Sequence, residues 1–262
     1  MRVEGINAII FDLGGTLYEP ASDICGLTKQ FMLDVGIDGA DELTDNHIRD
    51  ALVHANRWLW DFMIENNVDS HWEPSESEWI EYDTILLKGL GFEEDIDSHA
   101  KVYQKRWDRF LEDVEPPLIE GVHDTLLELQ RRKFKLGIAS NRYSDPRHFL
   151  QKDGIYDLFG SIEFSGVPGY IKPSPYMLLR VAEELGVNPR KCAYVGNIVE
   201  YDCLAAERAQ MLPVLLTWVD PQEVEKITTD VVVIDHITDL LEVLRLPKRH
   251  LTYSEFLLSV IM

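Results

Sequence analysis

The chain has 262 residues, with 25 Lys+Arg against 46 Asp+Glu and a formal net charge of −21. That sign speaks against a nucleic-acid partner, because such binders present a basic footprint to the phosphates. A hydrophobic content of 45%, with ten Phe and six Trp, excludes wholesale disorder and supplies a core for one large domain or two smaller ones.

The first predicted element is the apolar run 7–12 (NAIIFD), broken by Gly14 and Gly15. A run of this kind suits a strand buried on both faces of a parallel sheet. From Tyr18 to Glu115 helical spacing dominates. Ile48, Leu52, Ala55 and Leu59 form one stripe, and Trp79, Tyr82, Ile85 and Leu86 another. Pro74 followed by acidic residues marks a helix start. Five of the six tryptophans fall in this segment; Trp58, Trp60 and Trp79 read as its packing residues. The segment carries 24 Asp+Glu against 8 Lys+Arg, so −16 of the net charge belongs to it.

After Pro116-Pro117 the pattern alternates. Helices are expected at 122–130, 146–151, 175–185, 200–209 and 237–244. Strands are expected at 134–139, 161–165, 192–195, 213–217 and 230–234. Alternation of this kind implies right-handed crossovers and an α/β fold with a doubly wound parallel sheet. Residues 1–17 and 116–247 would form that core, 18–115 an inserted, mainly helical unit, and 248–262 a tail.

Cys25, Cys192 and Cys203 form no CxxC pair, which fits a reducing, cytoplasmic setting. The start shows no basic stretch leading into a long apolar one. No run approaches the roughly 18 apolar residues of a membrane span. No membrane partner is therefore expected. The apolar stretch 256–262 reads as a terminal helix docking on the body or on a second copy, as in a homodimer.

In an open α/β sheet, ligands bind at the carboxyl ends of the strands. Four polar features fall there: Asp12 to Thr16, Ser140-Asn141, Lys172 in YIKPSP, and Gly196-Asn197 with Asp202. A carboxylate beside a cation can act as a covalent nucleophile, as in aspartyl-phosphate chemistry. Each residue also has a plain reading. Asp12 could cap a turn, Thr16 could cap a helix with its hydroxyl, and Ser140 could satisfy a strand end. Lys172 could be a solvated loop lysine, Asn197 the cap of the next helix, and Arg142 a surface arginine.

The stretches IIFDLGGTL, LGIASNRY, YIKPSPYML and YVGNIVEYDCLAA, in this order, resemble the haloacid dehalogenase-like hydrolase superfamily. The helical segment stands where that family inserts a cap. The resemblance implies a hydrolase with Asp12 as nucleophile and Lys172 neutralising charge beside it. It implies that Ser140 and the Asn141 N–H bind substrate oxygens and that Thr16 shapes the loop. Tyr18, at the hinge, would face the substrate, and Arg142 would reach an anionic one. Mg²⁺ would be held by Asp12, the Gly14 carbonyl and Asn197, with Asp202 behind. The implied activity is Mg²⁺-dependent release of phosphate from a small phosphorylated metabolite.

Two positions depart from the family's phosphatases. Their first motif resembles D-x-D-x-T; here it is Asp12-Leu13-Gly14-Gly15-Thr16, so Gly14 replaces the general acid/base. Asn197 stands where the family carries Asp, which removes a charge from the cation's ligands. Two other readings follow. One is a 2-haloacid dehalogenase-type enzyme, whose first motif resembles D-x-Y-G-T. The other is a catalytically weak binding or regulatory protein. The acidic helical unit favours a substrate that is weakly anionic or carries a positive group.

Overall fold

The computed structural model describes residues 3–20, 23–113 and 116–245. The apolar stretch 256–262, and with it the expected docking helix, lies outside the described residues. In chain order the strands and α-helices are β1 (Val3–Glu4), β2 (Ala8–Phe11), α1 (Ile24–Asp34), α2 (Asp45–Glu65), α3 (Glu76–Gly89), α4 (Ile96–Asp113), α5 (Val122–Arg131), β3 (Lys135–Asn141), α6 (Arg147–Lys152), β4 (Ser161–Ser165), α7 (Tyr176–Glu184), β5 (Cys192–Gly196), α8 (Leu204–Arg208), β6 (Leu212–Leu216), β7 (Val232–Ile234), α9 (Leu240–Val243) and β8 (Leu244–Arg245).

The apolar run of β2 alternates between two cores. Ile9 and Phe11 point to one face, with Leu126 and Leu129 of α5; Ala8 and Ile10 point to the other, with Met177, Leu178 and Val181 of α7. All are almost wholly buried, at about 1.5–3 kcal/mol for each large aliphatic or aromatic side chain. Two apolar faces need helices on both sides, so the sheet is wholly parallel, in the order β4-β3-β2-β5-β6-β7. β2 lies at the centre. Ala8 to Phe11 pair with Lys135 to Ile138 on one side and with Cys192 to Val195 on the other. The crossovers reverse direction here, which opens a crevice at the strands' carboxyl ends.

Between β2 and α5 the described regular elements are helical. Asp23 caps α1 by accepting from the Cys25 and Gly26 N–H groups, and Glu78 accepts from the Ser75 N–H at 2.6 Å at the start of α3. Phe31, Met32, Leu86, Leu87 and Tyr103 close a separate core among α1, α3 and α4. The two chain segments joining this unit to the sheet run side by side. The Glu19 N–H donates to Pro117 O at 3.0 Å, and the Ile119 N–H to Leu17 O at 3.0 Å.

Two features differ from the sequence expectation. β1 and β8 form a small parallel pair, too short to leave a periodic signal. The helix expected over 200–209 opens instead with a π turn, Val199–Cys203, before α8. The widened turn brings Asp202 inward, 2% exposed, beneath Gly196. A π turn is a local feature often found at functional sites.

Candidate active site

Asp12 follows β2 directly, and its N–H donates to Val195 O of β5 at 2.9 Å. Lys172 arrives from the loop after β4. Its Nζ donates to Asp12 Oδ1 at 2.7 Å, to Asp202 Oδ1 at 2.7 Å and to the Tyr194 hydroxyl at 2.8 Å. All three donor protons are used, and the side chain is only 3% exposed. Ser140, near the end of β3, donates its hydroxyl to Asp12 Oδ1 at 2.9 Å. Both bonds fall on Oδ1, and Oδ2 of Asp12 has no hydrogen-bond partner among the described residues.

Lys172 stays charged here. Burial alone pulls its pKa down, but Asp12 and Asp202 outweigh that and hold it above the ordinary lysine range. Burial, reinforced by the Asp202 and Asp12 charges, keeps the Tyr194 phenol protonated well above its usual range. It donates to Ala139 O at 2.7 Å while accepting from Lys172. Replacing Lys172 with Met leaves two buried carboxylates without their shared cation. Chemical denaturation should show a stability loss of about 3–5 kcal/mol.

The other expected site residues divide into those that join this cluster and those that do not. The Asn141 side chain holds the backbone of Lys172. Its Oδ1 accepts from the Lys172 N–H at 2.8 Å and its Nδ2 donates to Lys172 O at 3.2 Å. Asp202 ties the lysine to the loop after β5. Its Oδ1 is taken by Lys172 and its Oδ2 by the N–H groups of Asn197 and Ile198, both at 2.9 Å. It is an anchor for the lysine and for the loop that carries Asn197. Gly196 must be glycine, because a Cβ there would lie 2.3 Å from Asp202 Cγ.

Asn197 is 8% exposed, and its Oδ1 is buried without a hydrogen-bond partner among the described residues. It packs on Gly15, whose φ of +73° and lack of a Cβ leave room for it; a Cβ there would stand 2.6 Å from Asn197 Nδ2. Trp218 steadies the same turn, donating Nε1–H to Gly15 O at 2.9 Å. A Cβ at Gly14, by contrast, meets nothing within 4 Å. Thr16 is wholly buried in this turn, with its hydroxyl unpartnered among the described residues. It is far from capping α1, which starts at Ile24.

Tyr18 corrects the expectation of a substrate-facing hinge residue. Its ring is 1% exposed, packs edge-on against Phe149 at 4.9 Å and donates its hydroxyl to Asp153 at 2.8 Å. The tight turn over Leu13 to Tyr18, closed by the Tyr18 N–H to Leu13 O, aims the ring inward. Arg142 is half-buried. Its guanidinium lies 4.7 Å from the Phe149 ring centre and donates to Ser144. Desolvation lowers its pKa, partly opposed by Asp145 and Asp12. Tyr194 escaped the sequence reading; its only signal was a phenol inside an otherwise apolar strand.

A central parallel strand ending in a carboxylate, with a buried lysine across from it and a helical unit inserted after that strand, defines a doubly wound α/β fold with an inserted helical unit. Residues 6–210 match the family model for haloacid dehalogenase-like hydrolases, and the chain belongs to that family. It is 27% identical over 246 residues to a glyceraldehyde 3-phosphate phosphatase of Methanothermobacter thermautotrophicus, covering 91% of this chain and 100% of that protein. A 2-haloacid dehalogenase from Pseudomonas syringae pv. Tomato superposes with a TM-score of 0.61 at 19% identity, over 91% of this chain and 97% of the other. A magnesium-bound hydrolase of the same superfamily from Bacillus subtilis gives 0.56 at 20% identity, over 92% and 98%. Among the described residues no helix is long and apolar enough to cross a membrane.

Proposed function

We propose that this chain hydrolyses small phosphate monoesters through a covalent phosphate on Asp12. The observation that carries this reading is the polarised carboxylate. Lys172 and Ser140 both hold Oδ1, so Oδ2 is oriented as the attacking oxygen. Oδ2 forms a bond to phosphorus while the bond from phosphorus to the ester oxygen breaks. The leaving oxygen takes its proton from water, because Gly14 offers none. A second water then attacks phosphorus, releases inorganic phosphate and restores the carboxylate. Lys172 offsets the charge that accumulates on the phosphoryl oxygens, a term of several kcal/mol in comparable sites.

The same residues fit a magnesium ion. Asp12, the Gly14 carbonyl and Asn197 Oδ1 are hard oxygen donors, and the buried Asn197 oxygen lacks any other partner. Bound there, Mg²⁺ would neutralise phosphoryl charge. The magnesium-bound Bacillus relative supports the assignment. A site with a single formal charge should be weak. Asn197→Asp is therefore expected to tighten Mg²⁺ by roughly tenfold, read by calorimetric titration.

The phosphatase relative supports a small-molecule substrate. Three free, buried cysteines support a reducing, cytoplasmic setting. The test is phosphate release from an aryl phosphate panel with Mg²⁺. Turnover above an Asp12→Asn control sustains the proposal. If no ester is turned over above that control, the phosphatase reading fails.

A further inference from the structure

A cavity of about 490 Å³ lies where the helical unit meets the loop after β3. Its size suits a fragment-sized ligand. Trp79, Tyr82, Tyr103 and Trp107 supply aromatic walls, and Arg142, Tyr143 and Ser144 line it from the sheet's side. Asp83 of α3 lines it too, although it is only 3% exposed. Among the described residues Asp83 has no ion pair or hydrogen bond, and its Oδ2 is sealed from solvent without a partner.

An unpartnered buried carboxyl is costly to the fold, so its retention calls for a compensating ligand. Burial, with a smaller push from Asp108, raises its pKa to about 8. Asp108 and Glu73 line the same cavity, and Arg142 is its only cation among the described residues. Lys29, Arg49, Arg57 and Arg106 of the helical unit hold other partners elsewhere. Four aromatic rings attract a cation by their quadrupoles, and an ammonium held among them favours the ionised form of Asp83, whose proton passes to solvent on binding. Arg142 links this cavity to the reaction centre, since it lines the cavity while its charge acts on Asp12.

We propose that Asp83 and the surrounding rings form a subsite for an ammonium group, so that the substrate is a phosphate monoester whose alcohol carries an amine. This rests on the phosphatase reading for the phosphate end only. The amine end meets Asp83; the phosphate end meets Asp12 and Lys172. The local −16 of the helical unit then favours the substrate's cationic end instead of only repelling its phosphate.

The experiment uses the full chain and two probes without phosphate, phenethylamine and its neutral counterpart 2-phenylethanol. Tryptophan fluorescence is a direct readout, because Trp79 and Trp107 line the cavity. The amine should bind at least tenfold more tightly than the alcohol, and Asp83→Asn should erase that preference. Asp83→Asn should melt no lower than the parent. If it fails to fold, the amine-to-alcohol ratio on the unmodified chain still decides. Equal binding of the two probes overturns the proposal, as does an amine preference that survives Asp83→Asn. In turnover, the kcat/KM ratio of aminoalkyl to hydroxyalkyl phosphates should collapse toward one in Asp83→Asn. Amine binding with no phosphate release from any ester would refute the phosphatase reading and leave the subsite standing. Phosphate release without amine preference would do the reverse.

Discussion

Gly14→Asp is expected to accelerate phosphate-ester hydrolysis by on the order of 10²–10⁴-fold. The reason is chemical. On the proposed route Gly14 would give the departing alkoxide no positioned acid, and the water that cleaves the phospho-enzyme no positioned base. The structure accommodates the substitution, since a Cβ at Gly14 meets no atom within 4 Å and the backbone there lies outside the left-handed region. Asp12 stands two residues away, and a neighbouring carboxylate raises the pKa of a new one, which suits a group that must donate a proton near neutrality. The gain corresponds to about 3–5 kcal/mol of barrier. Steady-state kinetics on one aryl and one alkyl phosphate check it, and the alkyl ester should gain more because its leaving group is more basic. An unchanged rate would reject the missing acid as the cause of slowness.

Asp12→Asn is expected to abolish turnover, by on the order of 10⁴-fold or more where the baseline allows it to be read. An amide oxygen is a poor nucleophile and cannot form the acyl phosphate. The fold should survive. Asn keeps an acceptor for Ser140 and Lys172, and Lys172 retains Asp202 at 2.7 Å as counter-ion. A double variant, Asp12→Asn with Gly14→Asp, should be as inactive as Asp12→Asn alone. If it recovers activity, the covalent route through Asp12 is wrong and direct attack by water takes its place.

These two substitutions separate chemistry from architecture, which the Lys172→Met variant cannot do. Lys172 bridges residues that stand 160 and 30 positions away in the chain. Its loss perturbs packing and catalysis together. Asp12 and Gly14 sit on a turn whose shape is held elsewhere, by Gly15, Trp218 and Asn197. That division makes them the sharper probes.

Much of the scaffold was legible in the residues. The run 7–12 is apolar over 8–11 because β2 is covered on both faces, and 161–165 coincides with β4. Asp12, Ser140, Lys172 and Asn197 stood out because each is a polar residue at or just beyond the carboxyl end of such a run. Their convergence could be inferred from strand alternation alone. The partners of those residues were less legible. Asn141 was expected to offer its backbone N–H; that its side chain also clamps the backbone of Lys172 had no signal in the chain. Asp202 was expected behind a metal, and nothing in the linear chain marked Lys172 and the loop N–H groups as the partners of its oxygens.

The sequence by itself determined the class of fold, the order of its elements and the identity of the central carboxylate and lysine. These depend on local period and on chain direction, which a linear reading preserves. Tertiary structure decided which way the side chains at the turns point. Tyr18 follows the first motif, but a turn closed on Leu13 sends its ring into the core against Phe149. Asp83 sits among apolar residues on a helical stripe and carries no local mark of function. Only the packing of α3 against α4 buries it beside Tyr103 and Trp107, without a partner. Burial and pairing are properties of distant neighbours, and a carboxyl's meaning changes with them more than with its place in the chain.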